Sequence, residues 1–208
     1  MKKWTMFAAV AVLGAGATSL ALRGQTPTAV AATPAEAQVV AIDKKVAPFS
    51  LPDPSGKSVS VGDWDKSKAT VLMFVATKCP VSNAYNPRMA SLAKTYAPKG
   101  IKFIGINSNK AEDGAEVEAH TKANGFGFTV LKDPANKIAD RFGAQVTPEV
   151  YVINPAGTLV YRGRIDNSQQ LAEVKDKSLA NTLDAILAGK AIPEKETRAF
   201  GCSIKRVG

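Results

Sequence analysis

Apolar runs and helically spaced apolar residues alternate through the middle of the chain. Residues 69–76 (ATVLMFVA) form a continuous apolar run, which is typical of a strand covered on both faces of a sheet. Residues 79–96 then place apolar side chains at helical spacing, which predicts a helix ended by Pro98 and Gly100. A second apolar strand is predicted over residues 101–106. The pattern therefore begins as strand, helix and strand.

The alternation of strands and helices continues toward the C terminus. A turn-rich stretch at residues 46–57 and an alternating run at residues 58–61 predict a hairpin before the first buried strand. Further elements are predicted as helices over 112–123, 134–142 and 178–188, and strands over 128–131, 150–153 and 158–164. This order indicates an α/β fold with a mixed sheet. Sites in such folds usually lie at the carboxyl edge of the sheet.

The first 37 residues have the pattern of an export signal. Lys2 and Lys3 give a positive start, and residues 6–22 are apolar or small. The triplet Ala35-Glu36-Ala37 suits cleavage, which predicts a signal peptide over residues 1–37. The apolar stretch is about 17 residues long and contains glycines, so it is a poor permanent span. We expect an exported, periplasmic or otherwise extracytoplasmic protein, with an uncleaved membrane anchor as the alternative.

Composition and charge limit the remaining classes. The chain has 208 residues, of which 45% are hydrophobic and 22% charged, as in ordinary globular proteins. That length predicts one domain over residues 38–190, followed by a tail over residues 191–208. The formal net charge is +9, but no run of basic residues exceeds two. A solvated basic surface therefore explains the charge better than a nucleic-acid partner does.

The two cysteines, Cys79 and Cys202, are the main candidates for chemistry. Cys79 lies where the first buried strand ends and a helix begins. Free N–H groups and partial positive charge at a helix N-terminus stabilise a thiolate. Lys78 would add to this effect if its ammonium points inward. Cys79 is therefore interpreted as a reactive thiol rather than as a small buried side chain.

Several segments carry a family resemblance when they are taken in order. They are VAPFSLPDPSGK at 46–57, FVATKCP at 74–80, DP at 133–134, VTP at 146–148 and AGTLVYRG at 156–163. In these segments the chain resembles the thioredoxin superfamily, and within it exported redoxins related to alkyl hydroperoxide reductase and thiol-specific antioxidant proteins. The likeness covers roughly residues 45–190. It implies a thioredoxin-like three-layer sandwich with a central mixed β-sheet flanked by helices.

The resemblance also implies roles for particular residues. Cys79 would be the attacking cysteine, and the Thr147–Pro148 bond would be cis with Pro148 facing Cys79. In this fold the loop before Pro148 leaves a backbone edge free for an extended substrate. From the residues alone, Pro148 would be an ordinary proline at the start of a strand.

The motif departs from the family in two places. Ser82 stands where a second motif cysteine would be, and a hydroxyl cannot resolve a mixed disulfide. The threonine and proline that peroxiredoxins place before the attacking cysteine are replaced by Ala76 and Leu72, with Thr77 one residue out of place. Arg164 or Arg162 could supply the positive charge that orients a substrate, and Asn83 could line the site.

Cys202 is the second candidate, because it lies in a tail that can fold back. The 12 residues after Lys190 span at most about 40 Å. A mobile tail cysteine would suit a resolving partner for Cys79. Three possibilities stay open: a Cys79–Cys202 bridge that forms and breaks, a permanent clip, or two cysteines that never meet. The expected partners are a thiol or disulfide protein, or a peroxide, together with an external reductant.

Other kinds of site have little support. The only histidine, His120, falls on a polar helix and is interpreted as solvated, so no metal site is expected, although two cysteines could hold Cu(I). No cofactor is expected, since the chain lacks a phosphate loop and a dinucleotide fingerprint. Residues 107–109 (NSN) lie at the same predicted sheet edge as Cys79 and could line its site.

Two classes of function follow from these observations. The first is an exported thioredoxin-like thiol oxidoreductase, or alternatively a peroxiredoxin-like peroxidase. The second is a non-catalytic module that binds a peptide or a metal ion and keeps Cys79–Cys202 as a structural disulfide.

Overall fold

The computed structural model describes residues 39–208, and the predicted signal peptide at residues 1–37 lies outside them. The strands are β1 (Phe49–Pro52), β2 (Ser58–Val61), β3 (Ala69–Phe74), β4 (Ile101–Asn107), β5 (Val130–Lys132), β6 (Val146–Thr147), β7 (Glu149–Ile153), β8 (Leu159–Gly163) and β9 (Cys202–Ser203). The α-helices are α1 (Pro80–Tyr96), α2 (Gly114–Ala123), α3 (Lys137–Phe142) and α4 (Ser178–Leu187). Within residues 39–208, no helix combines the length and apolarity needed to cross a membrane.

The central sheet has five strands in the order β5-β4-β3-β7-β8. β3 pairs in parallel with β4, and β4 with β5, whereas β3–β7 and β7–β8 are antiparallel. The predicted mixed sheet is therefore confirmed. Because β3 and β4 are parallel, their carboxyl ends lie at the same edge, and the loops that follow them meet there.

The middle strand β3 divides the core into two halves. All six of its residues are buried. Alternation along the strand sends Val71 and Met73 into a cluster with side chains of α1, α2 and α4. Leu72 and Phe74 enter a second cluster with α3 and the β1–β2 hairpin. The continuous apolar run is thus the signature of a strand that is covered on both faces.

Helix α3 begins later than the predicted start at residue 134. Asn136 has φ 59°, a left-handed conformation that does not occur inside a right-handed helix. Residues 134–136 therefore cannot form the first turn of α3. The carboxylate of Asp133 accepts the N–H groups of Ile138 and Ala139, so it caps the helix from outside. The Asp-Pro pair therefore forms a turn before the helix rather than its first turn.

A third sheet, in addition to the central sheet and the β1–β2 hairpin, has only two strands. β6 pairs antiparallel with β9, with Thr147 opposite Cys202. The pairing brings residues 195–207, here called the C-terminal strap, back across the domain. The sequence pattern predicted neither of these two-residue strands.

The burial of the core predicts that two leucines differ in how much they contribute to the free energy of unfolding. Leu183 on α4 is 0% exposed, whereas Leu171 is 71% exposed. We expect Leu183→Ala to lower the free energy of unfolding by about 2–5 kcal/mol because it leaves a cavity. Leu171→Ala, the matched control, should change it by less than about 0.5 kcal/mol. Urea unfolding of both variants checks this, and equal losses would contradict the packing described above.

Candidate active site

Cys79 lies at the junction of β3 and α1, where it is the N-cap residue of the helix. Its side chain is 4% exposed, and its sulfur accepts the backbone N–H of Ser82 at 3.3 Å. Pro80, in the first turn, removes one N–H that would have no partner in the helix. When Cys79 is reduced, the remaining N–H groups and the helix dipole favour its thiolate.

The Thr147–Pro148 peptide bond is cis, as the resemblance implied. The carbonyl oxygen of Thr147 lies 3.4 Å from the sulfur of Cys79. The attacking cysteine predicted from the sequence and the predicted Thr147–Pro148 pair therefore lie together in the structure.

Cys79 forms a disulfide with Cys202, 123 residues further along the chain. Their Cα atoms are 5.9 Å apart, within the usual range for a disulfide. Of the three possibilities left open by the sequence, the structure removes the one in which the two cysteines never meet.

Before Cys202, the C-terminal strap is anchored to β8 and α1. Thr197 donates its N–H to the carbonyl of Arg162 at 3.0 Å, and its hydroxyl lies 2.7 Å from that of Tyr161. The Phe200 ring meets the Tyr85 ring edge-on. Gly201 then passes so close to β6 that a Cβ would lie 2.0 Å from the carbonyl oxygen of Thr147. Only glycine fits at this position.

After Cys202, the strap is anchored again. Ile204 is 5% exposed in the core and donates its N–H to the carbonyl of Gln145 at 2.9 Å. Lys205 donates its N–H to the side-chain oxygen of Asn109 at 2.7 Å, and its carbonyl accepts the N–H of Lys110 at 2.9 Å. The sequence predicted a mobile tail, but the strap is docked on both sides of Cys202 by contacts that do not involve sulfur.

Lys78 does not direct its charge at the disulfide. Its ammonium lies 2.8 Å from a carboxylate oxygen of Glu116 and donates to the carbonyl of Ala111. The hydrogen bond with Glu116 raises the pKa of Lys78. Residues before Cys79 are thus tied to the start of α2, and stabilisation of a Cys79 thiolate falls to backbone N–H groups.

Arg164 is also engaged elsewhere. Its guanidinium forms an ion pair with Asp176 at 2.9 Å and donates to the hydroxyl of Ser178 at 3.0 Å. The hydrogen bond with Asp176 raises the pKa of Arg164. The structure therefore places this arginine at the start of α4 and does not bring it to the cysteines.

Asn83 and His120 support the loop before Cys79. Asn83 donates to the carbonyl of Thr77 at 2.9 Å, and its side-chain oxygen lies 2.9 Å from Nε2 of His120. His120 is half-buried rather than solvated, and its burial lowers its pKa. Among residues 39–208, no group of three or more His, Cys, Asp or Glu side chains could hold a metal ion.

Glu112 is the residue that sequence reasoning missed. It is 4% exposed and accepts the N–H groups of Thr77 at 2.8 Å and Lys78 at 3.2 Å. The side-chain amides of Asn107 and Asn109 donate to it as well. Burial raises the pKa of Glu112, but these hydrogen bonds outweigh it and the pKa is lowered. From the sequence, Glu112 is interpreted as the first residue of a polar helix. The one signal for a role near Cys79 was its position in the segment that follows the second buried strand.

Comparison with known sequences identifies related proteins. A model of the AhpC/TSA family matches residues 42–162. A thioredoxin-like protein of Haemophilus influenzae is 26% identical over 113 residues, which are 54% of this chain and 65% of that protein. Peroxiredoxin Q of Triticum aestivum is 30% identical over 146 residues, 66% of this chain and 63% of that protein. The chain thus spans slightly less than two thirds of these two relatives. The thiol-disulfide oxidoreductase ResA of Geobacillus thermodenitrificans is 24% identical over 122 residues, 59% of this chain and 68% of that protein.

Comparison with solved structures covers more of the chain. A hypothetical protein from Sinorhizobium meliloti 1021 matches with a TM-score of 0.74 and 30% identity, over 82% of this chain and 97% of that one. An uncharacterized conserved protein from Geobacillus kaustophilus matches with a TM-score of 0.74 and 32% identity, over 81% and 93%. The peroxidoxin BcpB from Mycobacterium tuberculosis, with a TM-score of 0.58 and 19% identity over 72% and 97%, shares the fold.

The close approach of Gly201 generates a testable prediction. In Gly201→Ala the added methyl group would collide with Thr147, so Cys202 is displaced and the oxidised form loses about 1–3 kcal/mol. The bridge should then be reduced about tenfold more easily by glutathione, a shift of about 30 mV. The matched control is Gly208→Ala, where a Cβ meets nothing within 4 Å. Equal midpoints for Gly201→Ala and the unaltered chain would contradict the prediction.

The buried carboxylate predicts a pH dependence. Because the folded-state pKa of Glu112 is lowered, its stabilising effect is present above the ordinary value of about 4.3 and is lost as the pH falls through the folded-state pKa. Glu112→Gln should lower the free energy of unfolding by about 2 kcal/mol at pH 7, and the difference should shrink below about pH 4. Urea unfolding across pH measures it. Exposed Glu118 gives the control Glu118→Gln, and a pH-independent loss at Glu112 would refute the assignment.

Proposed function

The chain belongs to the AhpC/TSA family and has its thioredoxin-like fold, and on that basis we propose an exported thiol oxidoreductase in which Cys79 attacks and Cys202 resolves. Relatives in this family are peroxiredoxins and thiol-disulfide oxidoreductases, so the oxidoreductase class follows from membership. The roles of the two cysteines, the substrate and export are our proposal.

One observation carries the proposal: the Cys79–Cys202 disulfide lies at the N-terminus of α1 against a cis X–Pro bond. The Cys79 thiolate would attack a substrate disulfide, join one substrate sulfur and release the other as a thiolate. The Cys202 thiolate would then attack Cys79, close the protein disulfide and release the second substrate thiolate. Two electrons pass to the substrate, and an external thiol reductant returns both cysteines to the reduced state.

Ser82 supports the assignment of Cys202 as the resolving residue. It is 0% exposed, and its hydroxyl accepts the backbone N–H of Ala76 at 3.2 Å. The position that would hold a second motif cysteine therefore has a structural hydrogen bond instead. A mixed disulfide on Cys79 can be resolved within this chain only by Cys202, because the sequence has no third cysteine.

A peroxide is the alternative oxidant, and the similarity to peroxiredoxin Q supports it. Cys79 would become a sulfenic acid while the peroxide is reduced to an alcohol or water, and condensation with Cys202 would release water. Several observations favour a disulfide substrate instead. Ala76 and Leu72 replace the peroxidase threonine and proline, and Arg164 is paired with Asp176.

A non-catalytic module is the second candidate, and the anchoring of the strap favours it. Contacts on both sides of Cys202 hold it in place, as they would around a permanent clip. Such a module would bind a peptide at a surface outside the β6 edge, because β9 pairs with both residues of β6. The labile and permanent bridges differ in their reduction potential, which decides between them.

Export is the remaining part of the proposal. The leader pattern of residues 1–37 supports a periplasmic or other extracytoplasmic location, with an N-terminal anchor if the leader is retained. The mass of the protein recovered from fractionated cells distinguishes a cleaved chain from an anchored one.

The test is a glutathione titration of the purified protein, with the Cys79–Cys202 bridge followed by mass spectrometry. We expect a midpoint near or above about −230 mV, as in catalytic pairs. A midpoint below about −300 mV would mark a structural bridge and favour the binding module. Cys202→Ser is the control, since it should still attack a disulfide but stop at the mixed disulfide. Rapid sulfenate formation with micromolar peroxide would show that the oxidising substrate is a peroxide rather than a disulfide.

A further inference from the structure

We propose that Asn109 is a positioning residue that returns Cys202 to Cys79 in the resolving step. The inference rests on the proposed function and adds a residue to it. Asn109 contacts neither sulfur. Its side chain is hydrogen-bonded directly to the C-terminal strap, and through the carboxylate of Glu112 to the loop that presents Cys79.

On the strap side, Asn109 holds the segment that follows Cys202. Its side-chain oxygen accepts the N–H of Lys205 at 2.7 Å, and the N–H of Lys110 donates to the carbonyl of Lys205 at 2.9 Å. Asn109 is 7% exposed, so little water competes for this hydrogen bond. Ile204, which lies between Cys202 and Lys205, is buried in the core. The bond to Asn109 therefore fixes the strap three residues from the resolving sulfur.

On the other side, Glu112 fixes the orientation of Asn109. The amide nitrogen of Asn109 donates to one carboxylate oxygen of Glu112 at 2.9 Å, which leaves the amide oxygen to face the strap. The same carboxylate accepts the N–H groups of Thr77 and Lys78, immediately before Cys79. The buried carboxylate of Glu112 thus fixes both the loop that carries Cys79 and the orientation of the Asn109 amide, whose oxygen binds the strap.

The resolving step needs this contact because a mixed disulfide displaces the strap. The substrate sulfur bonded to Cys79 occupies the place of the Cys202 sulfur, so the strap must move aside and dock again before Cys202 can attack. The rate of attack then depends on how often the strap occupies its docked position. The hydrogen bond from Lys205 to Asn109 favours that position, so it speeds the resolving step, whereas any effect on the first attack by Cys79 is in the opposite direction because that attack needs the strap moved aside.

The test uses the reduced full-length protein and the aromatic disulfide dithiobis(nitrobenzoate). Cys79 attacks first and releases one nitrothiobenzoate, and Cys202 then closes the bridge and releases the second in a first-order phase. Cys202→Ser should release only the first. Cys79→Ser measures how fast the reagent reacts at Cys202 directly, so that the two phases are assigned correctly.

The informative variants change the hydrogen bond from both of its ends. Lys205→Pro removes the donor N–H, because proline has none, and Lys205→Ala is the matched control that keeps the N–H and loses only an exposed side chain. Asn109→Ala removes the acceptor. We expect Lys205→Pro and Asn109→Ala to slow the second phase about fivefold, the effect of one hydrogen bond on the docking equilibrium. In Lys205→Pro the first phase should be unchanged or faster, and Lys205→Ala should match the unaltered chain in both phases.

The outcomes separate this inference from the proposed function. A second phase that is equally fast in Lys205→Pro and Lys205→Ala would overturn the role of Asn109 while leaving Cys202 as the resolving cysteine. Failure of the unaltered chain to release the second equivalent would overturn the proposed function itself. If Asn109→Ala does not fold, Lys205→Pro decides alone, because Lys205 is exposed on the strap.

Discussion

Val75, Ala76 and Cys79 are buried in the loop between β3 and α1, and buried backbone N–H groups need acceptors within the protein. Glu112 accepts two N–H groups of this loop, and the hydroxyl of Ser82 accepts a third from Ala76. The Cys79 sulfur accepts the N–H of Ser82 in turn. The position of the Cys79 sulfur is therefore set by hydrogen bonds in which the buried carboxylate of Glu112 and the Ser82 hydroxyl are the acceptors. Removal of any acceptor would leave a loop donor unpaired and would loosen the cysteine as well.

The same network limits where the second cysteine can come from. The N-terminal turn of α1 is used for hydrogen bonding and holds Ser82 instead of a thiol, so the partner sulfur must come from another element. β9 supplies it by pairing with β6 next to the cis bond at Pro148. In its oxidised form the chain thus pairs its own strand β9 with the backbone edge of β6 beside Pro148. A protein partner and the strap cannot occupy that edge together.

The sequence predicted the features that rest on local pattern. The apolar run at β3 and the Pro98 and Gly100 stop after α1 placed Cys79 at the correct junction, and the family resemblance added the cis Thr147–Pro148 bond. Other features depend on contacts between distant residues. β6 and β9 have two residues each, too few to show alternation, and Glu112 reads as solvated unless the N–H groups that surround it are known. The start of α3 was predicted too early because the left-handed conformation of Asn136 cannot be read from an Asp-Pro pair.

The separation of the two cysteines along the chain also determines when their disulfide can form during synthesis. Cys202 is added 123 residues after Cys79, so the bridge cannot form until almost all of the domain has been synthesised. Until then Cys79 is a thiol with no partner in its own chain. β9, which carries Cys202, is the last of the described strands to be synthesised, so Cys79 can be bridged only after the strands and helices around it have been made.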